Sequence, residues 1–150
     1  MRVLIGERPS LKIRAIADRN GWGEMYIYSQ PRENWPQSGF DNGAYGAWTR
    51  GLPFPTDRFR ERVERAHAQG LVPTIAVVPD QVAGGLWSLE FSLGWMDKLP
   101  RGWPWYLAVQ DGMTTTSVRA FLEQCLRDEG HVYDGIFVGG SLPWKLATAA

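Results

Sequence analysis

Short apolar runs that stop at a polar or glycine-rich step recur along this chain, and their spacing limits what it can fold into more than any other feature. Residues 74–78 end in Pro79-Asp80, residues 105–109 in Gln110-Asp111, and residues 135–138 in Gly139-Gly140-Ser141. Each run lacks polar alternation, which is the pattern of a parallel strand buried on both faces. A fourth end stands upstream, where Gly39-Phe40 meets Asp41-Asn42-Gly43-Ala44-Tyr45. The ends fall at 41, 80, 110 and 139, at intervals of 39, 30 and 29 residues. That is close to the ~30 residues of one βα unit.

Segments with helical spacing lie between these ends. Phe59, Val63 and Ala66 share one face, with Thr56 read as the N-cap and Gly70 as the C-terminal stop. Val118, Phe121, Leu122 and Cys125 share another after Thr116. Residues 87–99 fit both strand alternation and helical spacing, and their length favours a helix. Ahead of these, strands over 2–5 and 25–28 with a helix over 11–18 supply one more βα pair, and 30–38 reads as a Pro-rich loop. No linker divides the chain, so residues 1–150 are expected to form one domain with five or six parallel strands. A (β/α)8 barrel typically takes ~200 or more residues. The expectation is therefore an α/β fold of (β/α)8 TIM-barrel type, incomplete in this chain and the N-terminal part of a longer barrel, with a helix cut off over 145–150. An incomplete barrel leaves two strand edges unpaired, which predicts association into a homo-oligomer.

Composition narrows the partners. An apolar content of 44% supports a substantial core, and eight Trp suit either that core or a platform for flat ligands. Sixteen basic and sixteen acidic residues cancel, so any attraction for nucleic acid must be local; Arg50, Arg101 and Lys145, at or near strand-end loops, are the candidates. The lone Cys125 can form neither an internal disulfide nor a Cys-rich zinc site, so a cytoplasmic setting and no metal are expected. The first residues are too short and polar an apolar stretch for a signal peptide, and no run reaches the ~18 apolar residues of a membrane span, so no membrane partner is expected.

Ligands of parallel α/β folds lie beyond the carboxyl ends of the strands. Here those ends carry Asp41, Asn42, Tyr45, Asp80, Gln110, Asp111, Gly139 and Gly140. Carboxylates, a primary amide, an aromatic ring and a Gly-Gly backbone suit a flat heterocycle with several hydrogen-bonding edges, such as guanine. Each motif has a plainer reading: Asp41-Asn42-Gly43 as a turn, Asp80 as a helix N-cap, Gly139-Gly140 as a tight βα turn. Arg58, Arg60, Arg62 and Arg65, alternating with Glu61 and Glu64, read as a solvated face, and His67 and His131 as surface residues. The combination is favoured because all four motifs fall at equivalent strand ends.

The four motifs, Phe40-Asp41-Asn42-Gly43-Ala44-Tyr45, Val78-Pro79-Asp80, Ala108-Val109-Gln110-Asp111-Gly112 and Ile136-Phe137-Val138-Gly139-Gly140-Ser141, occur in the order and spacing of the tRNA-guanine transglycosylase superfamily. Over residues 36–145 the chain most resembles the short, phage-type enzymes that place 7-deazaguanines in DNA. The resemblance implies a pentosyltransferase that replaces guanine in DNA or tRNA by a free 7-deazaguanine base, with no cofactor. It implies that Asp41 is catalytic, in proton transfer, and that Tyr45 stacks on the base beside Asn42. Asp80 would hold the amino edge, and Gln110 with the Gly139-Gly140 backbone the carbonyl edge. Asn42, Ala44 and Asp111 stand where the family has Ser, Gly and Gly. The family's nucleophilic aspartate and its zinc site lie on later strands, beyond residue 150. Two other readings stand beside this one: a non-catalytic guanine-binding module, and an unrelated TIM-barrel glycoside hydrolase using Asp41 and Asp80 as its carboxylate pair.

Overall fold

In the computed structural model, which describes residues 4–6, 10–26, 38–129 and 133–149, six short strands pair in the order of the sequence. They are β1 (Leu4–Gly6), β2 (Gly23–Tyr26), β3 (Ser38–Phe40), β4 (Ile75–Val77), β5 (Trp105–Val109) and β6 (Gly135–Val138), and every pairing is parallel. A parallel neighbour can be reached only by a crossover. The helices α1 (Leu11–Asn20), α2 (Ala44–Trp48), α3 (Thr56–Ala68), α4 (Leu86–Leu93) and α5 (Thr115–Glu129) lie in those crossovers, and α6 (Leu142–Ala149) follows β6. The result is a mixed α/β fold with one all-parallel sheet. Residues 27–37 and His131, which include the expected Pro-rich loop, lie outside the described residues. None of the described helices is long and apolar enough to cross a membrane.

Local chemistry sets the helix ends. Ser10 Oγ accepts the Ile13 N–H at the start of α1, and Gly21, at φ 64°, ends it in the left-handed conformation. Thr114 and Ser117 cap α5 reciprocally, Thr114 Oγ1 accepting the Ser117 N–H at 3.0 Å and Ser117 Oγ the Thr114 N–H at 2.9 Å. This pair starts α5 ahead of Thr116. Thr56 is likewise the first residue of α3 and not its cap, because Phe59 N–H already donates to the Pro55 carbonyl at 2.9 Å.

The pleat sorts the strand residues into two sets. Phe40, Ala76, Val78, Trp105, Leu107 and Val109 join Phe59, Val63 and Ala66 of α3, Leu89 of α4 and Val118 of α5 in one buried cluster. Aromatic rings fill its centre in edge-to-face contact: Phe59 meets Trp95 at 5.4 Å, and Phe40 meets Tyr26 at 5.4 Å. Such pairs add roughly 0.5–1.5 kcal/mol each beyond the area they bury. The alternate residues, Val77 and Ala108 among them, look to the other face of the sheet.

Three further expectations need correction. β6 is not buried on both faces, since Ile136 is 44% exposed; among the described residues this edge strand pairs only with β5. Asp80 is no helix N-cap, because α4 begins at Leu86 after Gly85. Arg62 does not belong to a solvated face: its guanidinium lies over the Phe40 ring at 5.0 Å and donates to the Asp41 carbonyl at 3.4 Å.

Candidate functional site

The carboxyl ends of β3, β4, β5 and β6 converge on a cleft of about 750 Å³, lined by all seven expected site residues, Asp41, Asn42, Tyr45, Asp80, Gln110, Gly139 and Gly140. Its apolar wall comes from Val77, Ala108 and Phe137, on the sheet face opposite the main cluster. Sequential parallel pairing explains the convergence, because consecutive βα units present their strand ends side by side. Of the expected basic residues, Lys145 lines the cleft from α6. Arg50 and Arg101 do not; Arg101 borders a separate hollow with Trp103, Trp105 and Asp134, at the amino ends of β5 and β6.

Asp80 is 9% exposed and is gripped by two primary amides. Asn42 Nδ2 donates to Asp80 Oδ1 at 2.6 Å and to the Val78 carbonyl at 2.7 Å, while Asn42 Oδ1 accepts the Ala44 N–H. Gln110 Nε2 lies 3.3 Å from Asp80 Oδ2 and donates to the Gln81 carbonyl at 2.8 Å. Burial pushes the Asp80 carboxyl up from its usual 3.8 to about 6; the Asn42 hydrogen bond works against this, and the Asp41 charge adds to it. Two neighbouring carboxylates, one of them protonated at mildly acidic pH, can hold or pass a proton near neutrality. A carboxylate has about four acceptor positions, so the two amides leave Asp80 able to accept from a ligand.

Gln110 is placed in the cleft, but its amide faces the protein. Besides Asp80 and Gln81, Nε2 reaches Ser88 Oγ at 3.1 Å, and Oε1 accepts the Ala83 N–H at 2.7 Å. Ala83 has φ 61°, a conformation that costs a residue with a Cβ on the order of 1–3 kcal/mol. Gln110 therefore fastens a strained loop between β4 and α4. Gly139 N–H is likewise taken up by the Val109 carbonyl at 2.8 Å. The cleft's remaining donors include the Gly140 backbone and the Lys145 ammonium.

Asp41 Oδ1 accepts the Gly43 N–H at 2.7 Å, so the turn chemistry expected of Asp41-Asn42-Gly43 is present and aims Tyr45 at the cleft mouth. Asp111 acts as a strut between β5 and α6. It accepts the Ser141 N–H at 2.6 Å and the Ser141 hydroxyl at 2.5 Å, and these bonds hold its carboxyl below the usual range. Gly140, at φ 84°, makes room for this strut, since a Cβ there would collide with the Asp111 carboxylate.

Sequence reasoning missed Trp48, Ser88 and Ser92. Trp48 lines the cleft beside Tyr45, and its position three residues on along α2 was the available signal. Ser88 and Ser92, both fully buried on α4, tie that helix to the strand end, Ser92 Oγ donating to the Pro79 carbonyl at 2.8 Å. Among the described residues no group of three or more His, Cys, Asp or Glu could hold a metal ion. Comparison with known protein families, curated proteins and solved structures gives no match to this chain.

Proposed function

We propose that the cleft binds a guanine-type base and serves a transglycosylase-type exchange, in which guanine in DNA or tRNA is replaced by a 7-deazaguanine. The sequential parallel sheet is read as part of a (β/α)8 barrel. The observation that carries the reading is Asp80, a buried carboxylate with a raised pKa, held by two amides at the floor of a cleft with aromatic rings at its mouth.

Guanine presents two adjacent donors, the ring N1–H and the exocyclic amine, and a carboxylate is their natural acceptor. Tyr45, 67% exposed, offers a ring to stack on the base. The carbonyl edge meets the Gly140 backbone and Lys145. Gln110 acts one step back, by keeping Asp80 and the adjoining loop in place. Asp41 is assigned the proton that the departing base takes up and the incoming base gives away, because its charge already couples to Asp80.

Calorimetric titration of guanine, 7-cyano-7-deazaguanine and adenine tests this. Adenine offers an acceptor where guanine has N1–H, so it should bind far more weakly. Asp80→Ala should weaken binding of 7-cyano-7-deazaguanine by about tenfold to a hundredfold. Equal affinity of the wild type for adenine and guanine would refute the reading.

A further inference from the structure

We propose that Trp48 forms a second contact, next to the base site, for the nucleotide that adjoins the extruded one in a single-stranded stretch of nucleic acid. The inference rests on the base-binding reading above and extends it from a free base to a polymer. Trp48 and Tyr45 are half or more exposed, both line the cleft, and their ring centroids lie 5.9 Å apart at 35°. At that angle and distance they form two neighbouring platforms and do not stack on each other. One flipped base occupies one of them.

The flipped base stays attached to its strand, so the neighbouring nucleotides must pass over the cleft mouth. An indole at that mouth provides a sequence-tolerant surface for the next base. Charge fits the same partner. Lys145 faces the cleft from α6 on the other side. In a chain with no net charge, a cation in the wall of a cleft floored by carboxylates matches an anionic backbone outside and a donor-rich base inside. An aromatic protein ligand would use the rings but not this division of charge.

The test titrates short fluorescein-labelled single strands, DNA and RNA, each with one central guanine, by anisotropy, and titrates 7-cyano-7-deazaguanine by calorimetry. Trp48→Ala should weaken oligonucleotide binding roughly fivefold to a hundredfold, while the affinity for the free base changes far less, and Trp48→Phe should restore part of the loss. The stronger of the DNA and RNA titrations identifies the polymer. Oligonucleotide binding that depends on Trp48 without free-base binding would keep this surface and overturn the guanine reading. Oligonucleotide binding unaffected by Trp48→Ala would overturn this surface alone. A wild type that binds neither oligonucleotide would overturn it as well, leaving the rings as a protein-docking patch.

Discussion

Two amides bracketing one carboxylate give the cleft its polarity: Asn42 and Gln110 turn their N–H groups onto Asp80, so a ligand meets acceptors at the floor. The cost of burying that charge has a sign that can be measured. An acid whose pKa rises on folding, here from 3.8 to about 6, binds its proton more tightly in the folded state. Its contribution to stability is complete below about pH 4 and is lost as the pH rises through 6. Asp80→Asn should therefore match the wild type near pH 4 and exceed it at pH 7, by at most on the order of 3 kcal/mol. Melting curves between pH 4 and 7 check this, and parallel pH profiles for the two proteins would contradict it. Gly140 gives a second expectation at this scale. Gly140→Ala forces a left-handed alanine against the Asp111 carboxylate and should cost about 1–3 kcal/mol. In an Asp111→Gly background the carboxylate collision disappears, while the contact with the residue 111 backbone nitrogen at 3.0 Å stays, and the loss should shrink, which a double-mutant cycle of thermal melts resolves.

The loop between β4 and α4 shows how far the sequence could be read and where it stopped. The strand ends were legible because a buried parallel strand must be apolar and must then reach a polar or glycine-rich step; β4 and β5 follow that rule, β6 follows it in composition though one face is exposed, and β3 shows only its Phe40 before the polar step. The membership of the cleft was legible for the same reason, since all seven expected residues line it. The direction of the Gln110 amide was not, because it depends on Gln81 and Ala83 returning across the cleft floor, and no periodicity encodes a loop path. The place of Arg62 was hidden similarly: a run of alternating charges looks solvated until Phe40 packs beneath one of them. This element carries a prediction. Gln110→Ala strips the Ala83 N–H and Gln81 carbonyl of their partner and should cost about 2–3 kcal/mol. Amide exchange should speed up at Ala83 before it does in β5, and unchanged protection there would show that the loop stands without Gln110.

For the whole molecule, the relevant feature is a sheet with two ends. Among the described residues β1 and β6 each have one strand neighbour, and the half-exposed Ile136 lies on the β6 edge. Open parallel edges invite pairing with another chain, so sedimentation velocity at micromolar concentration is expected to show species heavier than the 16.9 kDa protomer. A single sharp boundary at the protomer mass would count against that expectation. The strand order has one more consequence, for how the chain acquires its shape as it is made. Among the described residues no two paired in the sheet are more than 36 positions apart, and each strand joins only the one completed before it and the one that follows. During synthesis every emerging strand finds its template already laid down and need not wait for a distant segment. Folding can thus advance like a zip behind the ribosome, and the cleft, which takes its last two glycines from the turn after β6, closes only when that turn arrives.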